Sequence, residues 1–250
     1  MAWAALALLL AAYGWSLRRD PLGSTRFGHL PAERRRIARY RRWLIRAALG
    51  WGGSAAVALT MLGGWPGLSH LLYPFAPAAA LVPLDAATLR EAAFWGVIGA
   101  LVGGLLLTLV MRRRGPERQV MLGDVSPLMP RHRDELGWAA LLCANAGVSE
   151  ELYFRLALPL ALTLVGGSAV AGVLVATLMF GLAHRYQRWP GIVATTLSGS
   201  VLAILYLGTG DLVVAMGVHA ATNMVGLVVR PALAGAWRVR PSAATPSERW

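Results

Sequence analysis

The apolar residues of this chain gather in long, nearly unbroken stretches instead of the short alternating or 3.6-residue patterns of a water-facing surface. Seven such stretches stand out, at 2–17, 47–73, 92–111, 136–164, 168–184, 191–208 and 212–229. About 20 apolar residues cross the hydrocarbon of a bilayer as a helix. In lipid each backbone polar group has to be satisfied within its own element. The expected fold is therefore an all-α polytopic membrane protein of about seven transmembrane helices. The first stretch follows no basic segment, so it reads as a short span and not as a cleaved signal. The fourth is long for one span; Pro159 is placed to kink it, and Gly147–Ser149 offers a point where it would break. Gly166-Gly167 and Gly208–Asp211 read as turns, and Pro74, Pro77 and Pro83 mark a loop at 74–91.

Composition agrees with that class. Of 250 residues, 56% are hydrophobic and 14% charged, with a mean hydropathy of +0.54, which excludes an ordinary soluble domain. The net charge is +12, all of the basic residues being arginine. Nucleic acid is not the expected partner, because the arginines flank apolar spans, where they set topology and meet anionic headgroups. Ten of them lie in 18–46 and six in 112–135. One arrangement accommodates them: a multi-pass protein of the cell membrane with its amino terminus outside. The segments 18–46, 112–135 and 185–190 and the carboxy terminus are then cytoplasmic. The tail 231–250, with its Pro, Ser and Arg, is expected to be disordered. The single cysteine, Cys143, excludes an internal disulfide and a cysteine-rich metal site. The two halves show no inverted repeat of the kind secondary transporters carry.

Ionisable residues inside membrane spans are functional by default, and here they gather in the carboxy-terminal half of the chain. Glu151 and Arg155 stand four apart, so they share a helix face and pair. Glu150 points about 100° away from that face. One carboxylate is thus neutralised and the other is left free to act as a general base, in an apolar setting suited to taking a proton from water. The alternative is a helix-packing ion cluster of all three. Phe180 and His184 are also four apart. So are His219 and Asn223, with the histidine well inside an apolar stretch. Asn223 is placed either to orient that imidazole or to donate a hydrogen bond to a developing oxyanion.

Glu-Glu-x-x-x-Arg at 150–155, Phe-x-x-x-His at 180–184 and His-x-x-x-Asn at 219–223 resemble, in order, the three motifs of the CAAX protease and bacteriocin-processing (CPBP) family of intramembrane endopeptidases. The resemblance covers about 136–229, which divides the chain into an amino-terminal membrane region at 1–135 and a CPBP-like catalytic core at 136–230. It implies hydrolysis of peptide bonds in membrane-associated peptides or protein tails by a glutamate-activated water. Glu150 would then be the base. His184 and His219 would bind the water or polarise the intermediate, and Asn223 would steady the oxyanion. Glu151, Arg155 and Phe180 would be structural support. No cofactor is expected. Two histidines and a carboxylate are nonetheless a familiar zinc set, and a zinc ion held by His184, His219 and Glu150 is the alternative.

Three other functions are open to the same residues. A catalytically idle binding or immunity protein would keep the motifs and cut nothing. A transporter would use Glu150 and the histidines as a proton relay and give proton-coupled flux. A scaffold would lose its fold, and no chemistry, on conservative change at Glu150.

Overall fold

A computed structural model of the chain describes residues 1–18, 32–112, 123, 125 and 128–236. The described residues form helices and no strands. A helix lies over each of the seven apolar stretches. Helix α1 is Ala2–Arg18. Helix α2 runs through Ala32–Arg46, a π-helical stretch Ala47–Gly53, and Ser54–Leu62. Helix α3 is Ala86–Arg112. Helix α4 runs through Arg133–Glu151, the π-helical Leu152–Ala157 and Leu158–Gly166. Helices α5 and α6 are Ala169–Ala183 and Arg188–Thr209. Helix α7 is Leu212–Met224, continued by the π-helical Val225–Val229.

Four helical segments are long and apolar enough to cross a membrane among the described residues: Arg36–Leu62, Ala86–Val110, Arg185–Thr209 and Leu212–Ala234. Helices α1 and α5 are apolar but shorter. Helix α4 carries Glu150, Glu151 and Arg155 at its centre and is not among the four. The described residues are thus all-helical with four candidate membrane-crossing helices, and the expected count of about seven does not rest on length and composition alone. Much of the side-chain surface of α3, including Phe94, Trp95, Leu106 and Val110, is exposed and suited to lipid.

Three expectations are corrected. The second span does not occupy 47–73. Its helix ends at Leu62, because Gly63 takes a left-handed φ of 63° as its C-cap, a conformation that costs glycine little. Arginines 36–46, expected in a loop, instead form the first turns of that helix. Secondly, α4 is unbroken at Gly147–Ser149. Gly147 serves close approach: a Cβ there would lie 2.8 Å from Ala220 Cβ and 2.9 Å from the Met216 carbonyl oxygen on α7. The irregularity comes later, as the wider π turn just before Pro159, where the missing N–H leaves the regular ladder incomplete. Thirdly, Ala232–Ala236, expected to be disordered, is helical and packs on α3 and α4. The rest of the tail at 237–250, and the loop portions 19–31 and most of 113–127, lie outside the described residues.

One end of the bundle collects the arginine-rich ends of helices. Arg36 Nε bonds Glu135 Oε1 at 2.8 Å, and Arg36 Nη2 donates to the Met129 carbonyl at 2.5 Å. The Glu135 Oε2 atom accepts from the Arg131 backbone N–H at 2.8 Å. Tyr40 donates to the Leu128 carbonyl, and Arg185 to the Leu17 carbonyl. At the opposite end Asp85 caps α3, accepting from the backbone N–H groups of Ala87 and Thr88 at 2.9 Å each. Hydrogen bonds from the Thr88 backbone and hydroxyl hold the Asp85 carboxyl below its ordinary range.

The core is aromatic. The π turn of α4 buries the successive residues Tyr153 and Phe154. Trp51 of α2 packs on both, with ring centroids 4.7 and 5.0 Å away. Phe154 then meets Phe180 of α5 at 5.3 Å. Tyr153 donates to the Leu9 carbonyl, tying α1 to the same layer.

Candidate active site

The site is assembled where α4, α5 and α7 face one another. Glu150 and Glu151 are successive residues of α4, so their side chains diverge by about 100°. Glu151 turns inward and is fully buried. Its Oε2 lies 3.2 Å from Arg155 Nε, one turn on, but the two are not aligned as a hydrogen bond. Their attraction is therefore that of two buried opposite charges. The guanidinium carbon sits 4.3 Å over the Phe180 ring, which adds cation–π attraction.

Glu151 has a second partner that its pairing with Arg155 does not announce. Its Oε1 accepts from His219 Nδ1 at 2.7 Å. Phe180 meets the His219 ring edge-on at 5.9 Å. His219 is therefore fixed from two sides, and the residue that orients it is Glu151. The other histidine is set by its own helix: His184 Nδ1 donates to the Phe180 carbonyl at 2.9 Å. With both Nδ1 atoms occupied, the Nε2 atoms are presented to the remaining carboxylate. Glu150 Oε2 lies 3.8 Å from His184 Nε2 and 4.0 Å from His219 Nε2.

The meeting of His184 with Glu150 follows from helix lengths. The 34 residues of α4 amount to about 51 Å at 1.5 Å per residue, far more than the bilayer core of about 30 Å. From Glu150 to the turn at Gly167, α4 runs about 24 Å, and α5, with 15 residues, returns about 22 Å. The hairpin arms match, so the end of α5 comes level with Glu150. The first half of α4 and the arginine-bearing start of α2 continue past that level.

Between them opens a cavity of about 540 Å³. Glu150, His184, His219 and Asn223 all line it, as does Phe180. Trp15, Trp43, Arg46 and Arg185 form part of its wall, and Arg46 stacks on the Trp15 ring at 5.0 Å. Glu151 and Arg155 stand behind the wall. All seven residues singled out from the sequence thus come together, four facing the cavity as polar groups and three behind or beside them.

The family comparison falls on this same part of the chain. Residues 132–225 match the family model described as Rce1-like, type II CAAX prenyl endopeptidase. The suspected CPBP relationship stands on that match. The matched segment opens at the start of α4, ends as α7 turns π-helical, and contains all seven of the residues singled out from the sequence. No curated protein and no solved structure matches the chain.

Whether the site suits a zinc ion is a question of spacing. Ligand atoms about 2.1 Å from a tetrahedral ion stand about 3.4 Å from one another. The 3.8 and 4.0 Å separations here are wider, and no group of three His, Cys, Asp or Glu side chains among the described residues is arranged to hold a metal ion. The donor set as it stands does not fit.

Proposed function

We propose that the chain is an intramembrane endopeptidase that hydrolyses a peptide bond in membrane-associated peptides or protein tails, with Glu150 activating the water. The match to an Rce1-like CAAX endopeptidase family supports protease activity and makes a prenylated tail the first substrate to try. The observation that carries the mechanism is the approach of Glu150 Oε2 to both imidazole Nε2 atoms at 3.8 and 4.0 Å. Groups at that spacing share one water molecule at about 2.8 Å from each. The water gives a proton to Glu150 as its oxygen attacks the scissile carbonyl carbon. Negative charge then grows on the carbonyl oxygen. Asn223 supplies a carboxamide donor for it, and His219, backed by the Glu151 carboxylate, can carry protons on both nitrogens while that charge lasts. Glu150 passes its proton to the departing nitrogen as the C–N bond breaks, leaving a carboxylic acid and an amine, and the acid's proton then moves to the amine to give a carboxylate and an ammonium.

The orientation read from the arginines belongs to the same proposal. The site then opens toward the cytoplasm, where the arginine-rich helix ends lie. The test of the function is Glu150→Gln, which keeps the shape and removes the base. In vesicles with a fluorogenic prenylated peptide it should fold as the unsubstituted protein does and lose at least about 100-fold in turnover. Full turnover by Glu150→Gln would end the assignment.

A further inference from the structure

Helix α6 carries five serine and threonine side chains, and four of them bond back to their own helix. Thr195 reaches the Gly191 carbonyl at 2.7 Å, Thr196 that of Ile192 at 2.8 Å, Ser200 that of Thr196 at 3.0 Å and Thr209 that of Leu205 at 2.6 Å. This is the usual way for a helix in lipid to hide a hydroxyl. Ser198 makes no such bond among the described residues. It is exposed and at the same time lines the cavity that holds Glu150 and the histidines. Its neighbours Leu197 and Val201 are exposed apolar residues, so Ser198 stands at the border between the lipid-facing surface of α6 and the cavity.

Three further facts define that border. The next residue, Gly199, abuts Phe180 and Arg155, a Cβ there lying 2.8 Å from Phe180 Cδ1; Ser198 is thus level with the layer that supports His219. Across the seam, Thr222 of α7 is exposed and also lines the cavity, and Asn223 follows it. Helix α3 meets α6 toward its far end, where Arg90 reaches the Thr209 carbonyl at 3.5 Å. Around Gly104 it lies instead against Val225 and Arg230, beyond α7. Among the described residues, nothing buries Ser198 or Thr222 at this stretch of the α6–α7 seam.

Resting on the peptidase reading, we propose that Ser198 is a substrate-positioning residue: the substrate enters sideways through the α6–α7 seam, and the Ser198 hydroxyl hydrogen-bonds its main chain opposite Glu150. A peptide segment drawn from a bilayer brings backbone N–H and C=O groups that are costly to leave unpaired. A hydroxyl both donates and accepts, so it serves either group whatever side chain the substrate presents. Asn223, lining the cavity across the seam, offers the same pair of capacities.

The test uses the full chain in phosphatidylcholine vesicles and a fluorescent peptide with a prenylated cysteine near its carboxy terminus. In the Glu150→Gln background, Ser198→Ala should weaken peptide binding about five- to tenfold, the worth of one hydrogen bond. In the active protein the same change should raise KM by a like factor, with kcat within about twofold and the melting temperature unchanged. Ser198→Thr, which keeps a hydroxyl, should restore affinity. Unchanged binding and KM in Ser198→Ala would overturn the proposal, and so would a loss of affinity that tracks a fallen melting temperature. Cleavage that survives Glu150→Gln, or no cleavage by the unsubstituted protein, would instead remove the peptidase reading and this inference with it.

Discussion

Replacing Glu151 by Gln separates what the second glutamate does for the fold from what it does for the chemistry. Its carboxylate is fully buried, and the Arg155 side chain is 1% exposed. None of the three guanidinium nitrogens has a hydrogen-bond partner among the described residues. The Glu151 charge 3.2 Å away is therefore the main compensation for a buried cation. Removing one member of a buried pair costs about 3–5 kcal/mol. The low end applies here, because the amide oxygen of the glutamine still accepts one hydrogen bond. At about 2–4 °C per kcal/mol for a chain of this size, the melting temperature should fall by about 6–12 °C. Cys143 provides the assay. It is the only cysteine and is 1% exposed, so a thiol-reactive dye reports its release as the protein unfolds in detergent. The double variant Glu151→Gln with Arg155→Met removes both charges and should recover most of the lost stability. Activity should not return with it, because a neutral amide no longer supports a charged His219. An unchanged melting temperature in Glu151→Gln, or a fully active double variant, would refute the reasoning.

Gly147→Ala should push α4 away from the Met216 carbonyl and the Ala220 backbone nitrogen, which a Cβ would approach to 2.9 and 3.0 Å. Such overpacking costs about 1–3 kcal/mol, and displacement of His219 should lower turnover at least about tenfold; both are read by dye-monitored melting and peptide cleavage. Purified protein treated exhaustively with a strong chelator should keep its activity, and loss on chelation with return on stoichiometric zinc would require a rearranged Glu150, His184 and His219. In a Cys143→Ser background, a cysteine at Ala80 should react with an impermeant maleimide from outside intact cells. A cysteine at Met129 should react only after the membrane is opened, and the reverse pattern would invert the orientation.

The apolar stretches were sufficient to place a helix at each of seven positions, because a long uninterrupted apolar run has few alternatives in lipid. The motif spacings of four residues likewise placed Glu151 beside Arg155 and set Glu150 on a different face, since helical geometry is local. Beyond that, local patterns fell short. The run at 47–73 did not reveal that its helix starts among the arginines at Ala32 and stops at Gly63, because amphipathic arginine turns satisfy themselves against Glu135 and the 128–131 backbone, far away in sequence. Nor did it show that α4 stays whole at Gly147: whether a glycine breaks a helix or admits a neighbour depends on the neighbour, here α7. The partnership of Glu151 with His219 joins residues 68 apart, and the choice of which carboxylate meets which nitrogen was made by the crossing of α4 with α7. Ser198 had no motif to single it out, since a serine's use of its hydroxyl is decided by what faces it. Periodicity reports which residues share one helix; the tertiary structure decided which helices face each other, because that depends on the lengths of the α4–α5 hairpin arms and on where small residues let backbones close.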